Sequence, residues 1–314
     1  MKRSKIAKIL ICVASAVTLS VSALSVSACS IETAHPEAVI TYEFNGEEYA
    51  VKYTLYRNLR PHTVRHFIEL ANSGYYDGTV VHDFDTSDWF TGGYAYDADE
   101  YAAKKDNAGQ MAEYFTENSK EEDYVSLYAE GKITPTVFKE SAYNPTDQKI
   151  VDESGYVPTL FGEFYNNIHQ EIKHDPLNAE LGCLKTFYYT KESTQKVYVR
   201  PTAGETVMAD YKSNCATSVF AVQTGASSGF AKTAYCVFGK PADADAFDEL
   251  LDAVNEFIEN EHGGTRSNFY NSAEVRVDNF DNFSNEPEAD KGIEVTFKAP
   301  KTPIVLKSVK VTKY

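Results

Sequence analysis

Histidine, aspartate and cysteine side chains supply most acid–base, nucleophilic and metal chemistry, yet few of them occur here at productive spacings. His169 and His174 are five residues apart, so a helix would not place both on the face that a zinc site needs. Asp243, Asp245 and Asp248 lack the following glycine and distal glutamate of a calcium loop, and fit the start of a helix better. The sequence also has no CxxC pair, G-x-S-x-G motif or phosphate-binding glycine loop. It therefore predicts no metal and no cofactor.

The stretch Pro61 to Gly93 carries the most specific pattern in the chain. Pro61 suits a first helical turn, because its missing N–H would have no partner there. Gly74 can end the helix, and an extended run follows as far as Gly92-Gly93. The apolar residues of the helix recur at i, i+3, i+4 and i+7, which predicts one buried stripe: Val64, Phe67, Ile68 and Ala71.

This stretch, PHTVRHFIELANSGYYDGTVVHDFDTSDWFTGG, resembles the first signature block of the cyclophilin-type peptidyl-prolyl isomerases. In that family a helix ends near G-x-Y-D-G-T, and a strand reads His-Arg, eight residues, then Gly-Gly. Tyr235 to Lys240 is similar to the family strand H-T-V-F-G-K, and Ser213 to Val222 to the strand N-G-S-Q-F-F-I. The resemblance implies a mainly β protein with α: an eight-stranded antiparallel β-barrel capped by two helices.

The resemblance also implies a site. Cyclophilins are understood to bind the proline ring in an apolar pocket and to donate from an arginine to the rotating amide nitrogen. Counting back from the double glycine, the arginine position is Asp83, beside His82. A carboxylate offers acceptors only, so turnover is expected to be weak or absent. The other groove positions that the resemblance assigns are Asp88, Trp89, Thr91, Phe220, Phe230, Ala231 and Tyr235.

Some of these assignments have alternatives. Trp89 could lie in the barrel core, because burial of its large apolar area is favourable in itself. The groove alternative requires it to be exposed at the cleft. For His82 a structural imidazole is favoured over a catalytic one. Another arginine could replace the missing donor, with Arg200 the first to inspect; the candidates are Arg57, Arg60, Arg65, Arg200 and Arg266.

The remaining chain organises around the same barrel. Asn45-Gly46 separates two β-rich runs, Val39 to Phe44 and Tyr49 to Tyr56, and predicts a tight hairpin. Asp245 to Ile258 has the period of a second helix, and Pro303 to Val311 alternates as a final strand. The segment at about 94–179 is too long for an ordinary connection, so we expect a large, partly helical insertion that packs beside the barrel, within a domain spanning 38–314.

The N-terminus has the layout of a secretory leader, a charged start followed by an apolar run diluted with serine. Val26 to Cys29 resembles a bacterial lipobox. We therefore expect residues 1–28 to be a lipoprotein signal peptide, Cys29 to carry the lipid, and 29–37 to form a tether on the extracytoplasmic face of a cell membrane. A membrane-spanning helix is the alternative.

The formal net charge of −16 disfavours nucleic acid as a partner, because the acidic surface repels phosphates. Removal of the basic leader would make the chain more acidic still. Of the five cysteines, three lie in the folded part: Cys183, Cys215 and Cys236. Buried free thiols are the default expectation for them, with one disulfide as the alternative.

These features lead to a membrane-tethered, cyclophilin-like lipoprotein that isomerises or binds X-Pro segments of extracytoplasmic polypeptides. The alternative is a non-catalytic module that binds a polypeptide or an envelope protein. A solute-binding lipoprotein of a transporter is a third possibility, but it would need two comparable α/β lobes, which the hairpin start disfavours.

Overall fold

A curled antiparallel sheet forms the centre of the protein. The computed structural model of the 314-residue chain describes residues 35–140, 143–147, 149–150, 159–163, 177–187, 192–200, 205–212, 215–225, 235–277 and 292–314. The helices are α1 (Pro61–Asn72), α2 (Ala98–Lys104), α3 (Ala108–Glu117), α4 (Glu121–Ala129), α5 (Ala244–His262) and α6 (Arg266–Phe269). The strands are β1 (Glu37–Phe44), β2 (Glu47–Leu55), β3 (Thr79–Val80), β4 (Asp83–Phe84), β5 (Asp88–Thr91), β6 (Val137–Lys139), β7 (Tyr143–Asn144), β8 (Lys149–Ile150), β9 (Leu160–Phe161), β10 (Leu184–Phe187), β11 (Glu192–Val199), β12 (Val207–Lys212), β13 (Cys215–Ala216), β14 (Phe220–Gln223), β15 (Tyr235–Pro241), β16 (Tyr270–Val277), β17 (Ile293–Pro300) and β18 (Ile304–Lys313).

Nine strand segments make up the sheet, in the order β3-β18-β1-β2-β15-β10-β14-β5-β4. The two terminal segments, β3 and β4, follow each other in the chain with only Val81 and His82 between them. Val80 N donates to Tyr94 O at 3.1 Å and His82 N to Phe90 O at 3.0 Å, so this stretch bridges β18 and the β5 side of the sheet. Counted as one interrupted strand, β3 and β4 give eight strands. The predicted fold class, mainly β with α, is confirmed.

The chain enters the barrel through the hairpin that its sequence predicts. Asn45 and Gly46 have φ values of 50° and 85°, the positive angles that a two-residue turn between antiparallel strands needs. Phe44 pairs with Glu47, and every second residue of β1 is buried. The alternation places one face of both strands in the core.

The two predicted helices pack on the barrel core at different strands. Phe67 of α1 lies 5.2 Å from Phe238 of β15 and 5.5 Å from Phe220 of β14, measured between ring centroids. In α5, which runs from an Asp243 cap to the left-handed Gly263, Phe247 lies 6.1 Å from Trp89. No helix in the described part of the chain combines the length and hydropathy needed to cross a bilayer.

A second apolar cluster lies outside the barrel core. It joins α2 and α3 to the hairpin formed by β16 and β17 and to one side of β3 and β18. Tyr101, Met111 and Phe115 supply the helical side of this cluster, and Val275 and Phe297 the hairpin side. The start of the predicted insertion is therefore helical and lies against the barrel, as its apolar residues led us to expect.

Two further additions fall outside the predicted insertion at about 94–179. Strand β11 pairs with β6 on one side and β12 on the other in a separate three-stranded sheet, although β11 and β12 follow the barrel strand β10. The β16–β17 hairpin, paired from Tyr270–Pro300 to Val277–Ile293, interrupts the chain between α6 and the last barrel strand. The predicted leader and Cys29 lie outside the described residues, as do His169 and His174.

Candidate functional site

One face of the sheet collects most of the chemistry-bearing side chains. Residues directly opposite each other on antiparallel strands share a face. The pairings Phe84–Trp89 and Val222–Leu184 lie on the face that packs into the core. The opposite face carries the row Asp83, Phe90, Ala221, Lys185 and Val237 across β4, β5, β14, β10 and β15.

Asp83 lies on this outer face, half-buried. Its Oδ1 accepts a hydrogen bond from Lys298 N of β17 at 3.0 Å. Burial raises the pKa of this carboxyl to about 6, and the nearby Asp85 charge adds to the rise. The hydrogen bond from Lys298 N opposes the rise, because it favours the ionised form. The cation beside the predicted arginine position is therefore a lysine on β17, and that lysine's Nζ pairs with Asp85.

His82 is buried in an aromatic cage. Its ring centroid lies 4.7 Å from that of Tyr94 and 4.8 Å from that of Phe297. Burial lowers the pKa of His82 to about 3, so the imidazole is neutral at ordinary pH. These contacts fit the structural alternative for His82, because a 3% exposed ring inside a cage does not face a groove.

Asp88 and Lys185 form an ion pair without solvent exposure. The Lys185 ammonium also donates to Gln223 Oε1 at 3.0 Å and lies 5.1 Å from the Tyr235 ring centroid and 5.4 Å from that of Phe187. Burial raises the pKa of Asp88 to about 6, although the ammonium opposes that rise. The position assigned to a pocket phenylalanine is thus half of a buried ion pair.

Three predicted groove residues face the core of the sheet and not the outer face that carries Asp83. Trp89 has no exposed surface and stacks on Phe84 with a centroid distance of 5.4 Å, which is the placement that the core alternative describes. Thr91 is fully buried and donates from Oγ1 to Val80 O. Phe220 packs under α1 with 1% exposure. All three belong to the core side because β5 and β14 present alternate residues to opposite faces.

Sequence reasoning missed three residues of the outer face, Phe90, Phe187 and Lys185. Phe90 and Phe187 are partly exposed, with ring centroids 4.9 Å apart, and the predicted Tyr235 lies 6.1 Å beyond Phe187. Together with Lys185 they make an aromatic surface beside Asp83. The alternation of β5 identifies Phe90 once the pairing is known, but nothing in the sequence around Lys185 distinguishes it from a solvated lysine. Phe230 and Ala231 lie outside the described residues.

The candidate replacement arginines lie elsewhere. Arg266 contacts β4, with its guanidinium carbon 4.7 Å from the centroid of Phe84, which points to the opposite face of β4 from Asp83. Arg200, the first of the candidates, lies with its guanidinium carbon 5.1 Å from the ring centroid of Phe138 in the separate sheet. The others lie around the start of α1: Arg57 in the turn after β2, Arg60 donating to Leu59 O, and Arg65 to Thr134 O.

The double glycine has a packing explanation. A Cβ on Gly92 would lie 2.9 Å from Ser218 O and 2.9 Å from the Tyr76 ring, and the residue has φ of 84°. A Cβ on Gly93 would lie 2.9 Å from Val219 Cγ2. Strand β5 and the segment before β14 therefore approach closely only because these positions lack side chains.

No group of three or more His, Cys, Asp or Glu side chains in the described ranges has the arrangement of a metal site. Cys183 and Cys236 are buried free thiols. Burial raises the pKa of Cys183 to about 11, so its nucleophilic thiolate form is disfavoured. The acids Asp243 and Asp245 stand at the start of α5, where Asp243 caps the helix by accepting from Asp245 N.

An eight-stranded barrel with two helices packed on its core, and an aromatic outer face beside β4 and β5, define the class of the protein as a helix-capped antiparallel β-barrel. The family model described as cyclophilin type peptidyl-prolyl cis-trans isomerase/CLD matches residues 40–266, which is most of the chain. The chain belongs to this family. No curated protein matches the sequence.

Among solved structures, the chain is similar to a cyclophilin type peptidyl-prolyl cis-trans isomerase of Cryptosporidium parvum. The sequence identity is 12% and the TM-score 0.39, over 89% of this chain and 99% of the other. A second structure of that protein, in the presence of the dipeptide Ala-Pro, matches with the same identity and TM-score over 88% and 99%.

Proposed function

We propose that this protein binds X-Pro segments of extracytoplasmic polypeptides and isomerises them weakly. Family membership supports the isomerase-like part of the proposal. The single observation that carries the weak-turnover part is Asp83, whose carboxylate accepts the Lys298 N–H at the position where the family places a cationic donor.

The chemistry explains why that observation matters. Rotation about an X-Pro bond crosses about 18–20 kcal/mol, because the nitrogen lone pair is delocalised into the carbonyl. A donor aimed at the nitrogen stabilises the twisted amide, where the lone pair is localised. An ionised Asp83 offers no proton, and loss of one preorganised donor typically raises a barrier by about 2.7–4 kcal/mol.

Binding requires less than catalysis. Phe90 and Phe187 offer partly exposed rings, and Tyr235 extends the same surface. Flat aromatic faces of this kind can hold a proline ring without any donor to its nitrogen. The proposal therefore separates affinity for X-Pro segments, which this surface supplies, from turnover, which Asp83 limits.

Isomerisation of a proline tetrapeptide by the purified protein tests the proposal. We expect slow but measurable acceleration, and weaker peptide binding in Phe187→Ala, because that change removes the ring between Phe90 and Tyr235. Tyr198→Ala, an aromatic truncation in the separate sheet, is the matched control and should leave binding unchanged. Rapid turnover that survives both Asp83→Ala and Phe187→Ala would contradict the assigned surface.

A second candidate is a non-catalytic module that binds a polypeptide or envelope protein. It is favoured by one observation, the packing of β17 over β4, where Lys298 contacts both Asp83 and Asp85. Absence of both X-Pro binding and turnover would support this candidate over the first.

Lipid anchoring at Cys29 is part of the same proposal and is motivated by the Val26 to Cys29 motif. We expect the protein from a bacterial host to partition into a detergent phase, and Cys29→Ser to move it into the aqueous phase. Equal partitioning of the two proteins would exclude the anchor.

A further inference from the structure

The β16–β17 hairpin lies over the strand that carries the predicted catalytic position. Lys298 makes the direct contacts: its backbone N–H donates to Asp83 Oδ1, and its ammonium pairs with Asp85. The neighbouring Phe297 is buried against His82, at 4.8 Å between ring centroids. One end of β17 therefore lies against His82 and Asp83, and the next residue, Phe84, packs into the barrel core.

The hairpin is held from the other side as well. Tyr101 of α2 donates from its hydroxyl to Pro300 O at 2.6 Å, and Asn271 of β16 donates to Lys105 O. Ala273 and Val275 are buried against the helices. The hairpin therefore has a fixed position over β4, set by polar contacts near the end of β17 and the start of β16 and by the buried apolar residues beside them.

The covering segment has the chemistry of a ligand for this family. Lys298 is followed by Ala299 and Pro300, so the backbone N–H that Asp83 accepts lies one residue before an X-Pro bond. Ala299 is 1% exposed and Pro300 is buried. Lys298 borders the outer face beside Asp83, while Ala299 packs in the cluster with α2 and α3 and Pro300 O accepts from Tyr101.

We propose that the segment of β17 at Lys298 is an intramolecular ligand that occupies the β4 side of the X-Pro site, and that Asp83 is the residue that docks it. This inference rests on the proposed function. It gives the acid at the arginine position a role of its own, because an acceptor is what a backbone N–H requires and an arginine could not supply one. A polypeptide that reaches Asp83 must first displace the hairpin.

Competition in the unaltered protein tests the inference without any substitution. The amide exchange rate of Lys298 reports docking, because its N–H is bonded to Asp83. We expect addition of an Ala-Pro-containing tetrapeptide to accelerate exchange of the Lys298 amide while the amides of β1 and β2 stay protected. Peptide binding with unchanged protection of Lys298 would overturn the inference and leave the proposed function intact.

The double variant Asp83→Ala, Lys298→Ala supplies the second test. It removes the acceptor and the ion pair, so the hairpin contacts weaken at β4 while the apolar contacts to α2 and α3 remain. We expect about tenfold tighter binding of the tetrapeptide, because apparent affinity scales with the fraction of molecules whose site is open. Thr296→Ala, exposed on the same strand, is the surface control.

The outcomes separate the two proposals. Fast exchange at Lys298 in the double variant without tighter peptide binding would refute the intramolecular ligand. Failure of the parent protein and of a folded double variant to bind any X-Pro peptide would refute the proposed function, and the inference with it. Cooperative urea unfolding of each variant establishes that the comparison is made on folded protein.

Discussion

Lys185 is a charged side chain with no exposed surface, held between a carboxylate, an amide and two aromatic rings. Transfer of both charges of such a pair from water costs several kcal/mol per ion, and mutual attraction offsets that cost only while both partners are present. The pair therefore makes little net contribution to stability but creates a large penalty for removing one partner. Removal of Asp88 would likewise leave the Lys185 charge buried without its partner.

We predict that Lys185→Met lowers the free energy of unfolding by about 3–5 kcal/mol, because it leaves the Asp88 charge buried without its partner. Urea denaturation at neutral pH measures the change. Lys132→Met is the matched control, since Lys132 and Glu130 are each 55% exposed, and it should change stability by about 0–1 kcal/mol. A small effect of Lys185→Met would show that Asp88 is not charged in the folded protein.

His82 gives the protein a dependence on pH. Burial lowers its pKa from 6.5 to about 3, so the unfolded state binds a proton between these values and the folded state does not. Stability from this group is present above the unfolded pKa and is lost as pH falls. From pH 7 to pH 5 the loss should be about 2 kcal/mol.

We predict that His82→Phe removes this part of the acid sensitivity while keeping an aromatic ring in the cage. The difference in unfolding free energy between pH 7 and pH 5 should be smaller in the variant than in the parent. His66, whose pKa burial also lowers to about 3, contributes equally to both proteins. Tyr94→Phe alters the same cage without a titrating group in this range and should keep the parental slope. Equal pH dependence of the unfolding free energy in His82→Phe and the parent would mean that His82 takes up its proton over the same pH range in the folded protein as in the unfolded chain.

For individual residues, the sequence predicted which positions belong to the site region better than it predicted which face of the sheet each side chain points to. Counting back from Gly92-Gly93 assigned roles to Trp89, Thr91 and Phe220, but direction depends on strand pairing, and a shift of one residue exchanges the two faces of a strand. The pairing of Asp83 with Phe90 is a long-range property of the sheet. Lys185 was missed for a similar reason, because only the fold brings Asp88 and Gln223 to it.

At the scale of elements, α1 shows how the added structure supports the barrel. Its N-cap residue, Arg60, makes no side-chain cap, and Pro61 occupies the first turn. Glu163, from the segment before β10, instead accepts hydrogen bonds from His62 N at 3.0 Å, Thr63 N at 2.8 Å and Thr63 Oγ1 at 2.8 Å. Its negative charge also favours the positive end of the helix.

We predict that Glu163→Ala destabilises the protein by about 2 kcal/mol, the upper end for loss of a helix cap, because the freed N–H groups are buried. Amide exchange at His62 and Thr63 should accelerate with it. Asp97→Ala, which removes an exposed cap from α2, is the control and should cost about 1 kcal/mol. If the two substitutions cost the same, Glu163 is not anchoring α1.

Local signals predicted some elements well and others not at all. The β1–β2 hairpin and helices α1 and α5 follow from Asn45-Gly46 and from apolar residues at helical spacing, which are properties of a few adjacent residues. Strands β16 and β17 also alternate, but a long acidic segment separates them, so their pairing was not apparent from the sequence. The sheet of β6, β11 and β12 was missed because its strands lie on both sides of β10 in the chain.

At the scale of the whole molecule, the family match and the barrel do not end together, because the last barrel strand, β18, lies beyond residue 266. The family match ends at Arg266, immediately before the hairpin that covers β4. The fold class could be predicted because one signature block implies a whole topology. The covering of Asp83 could not be predicted, because it depends on β17, which lies far from the signature block in the chain. Lys298, the residue of β17 that contacts Asp83, is 215 residues away from it in sequence.

The sheet order also has a consequence for how the protein is made. Strand β1 lies between β2 and β18, so the first strand of the domain has its full set of neighbours only after the last strand has been synthesised. Such high contact order slows folding and leaves strand edges open to aggregation until β18 has been made. The nascent chain should therefore depend on chaperones until β18 emerges from the ribosome. Ribosome-bound chains stopped before and after β18 can establish this by their resistance to protease.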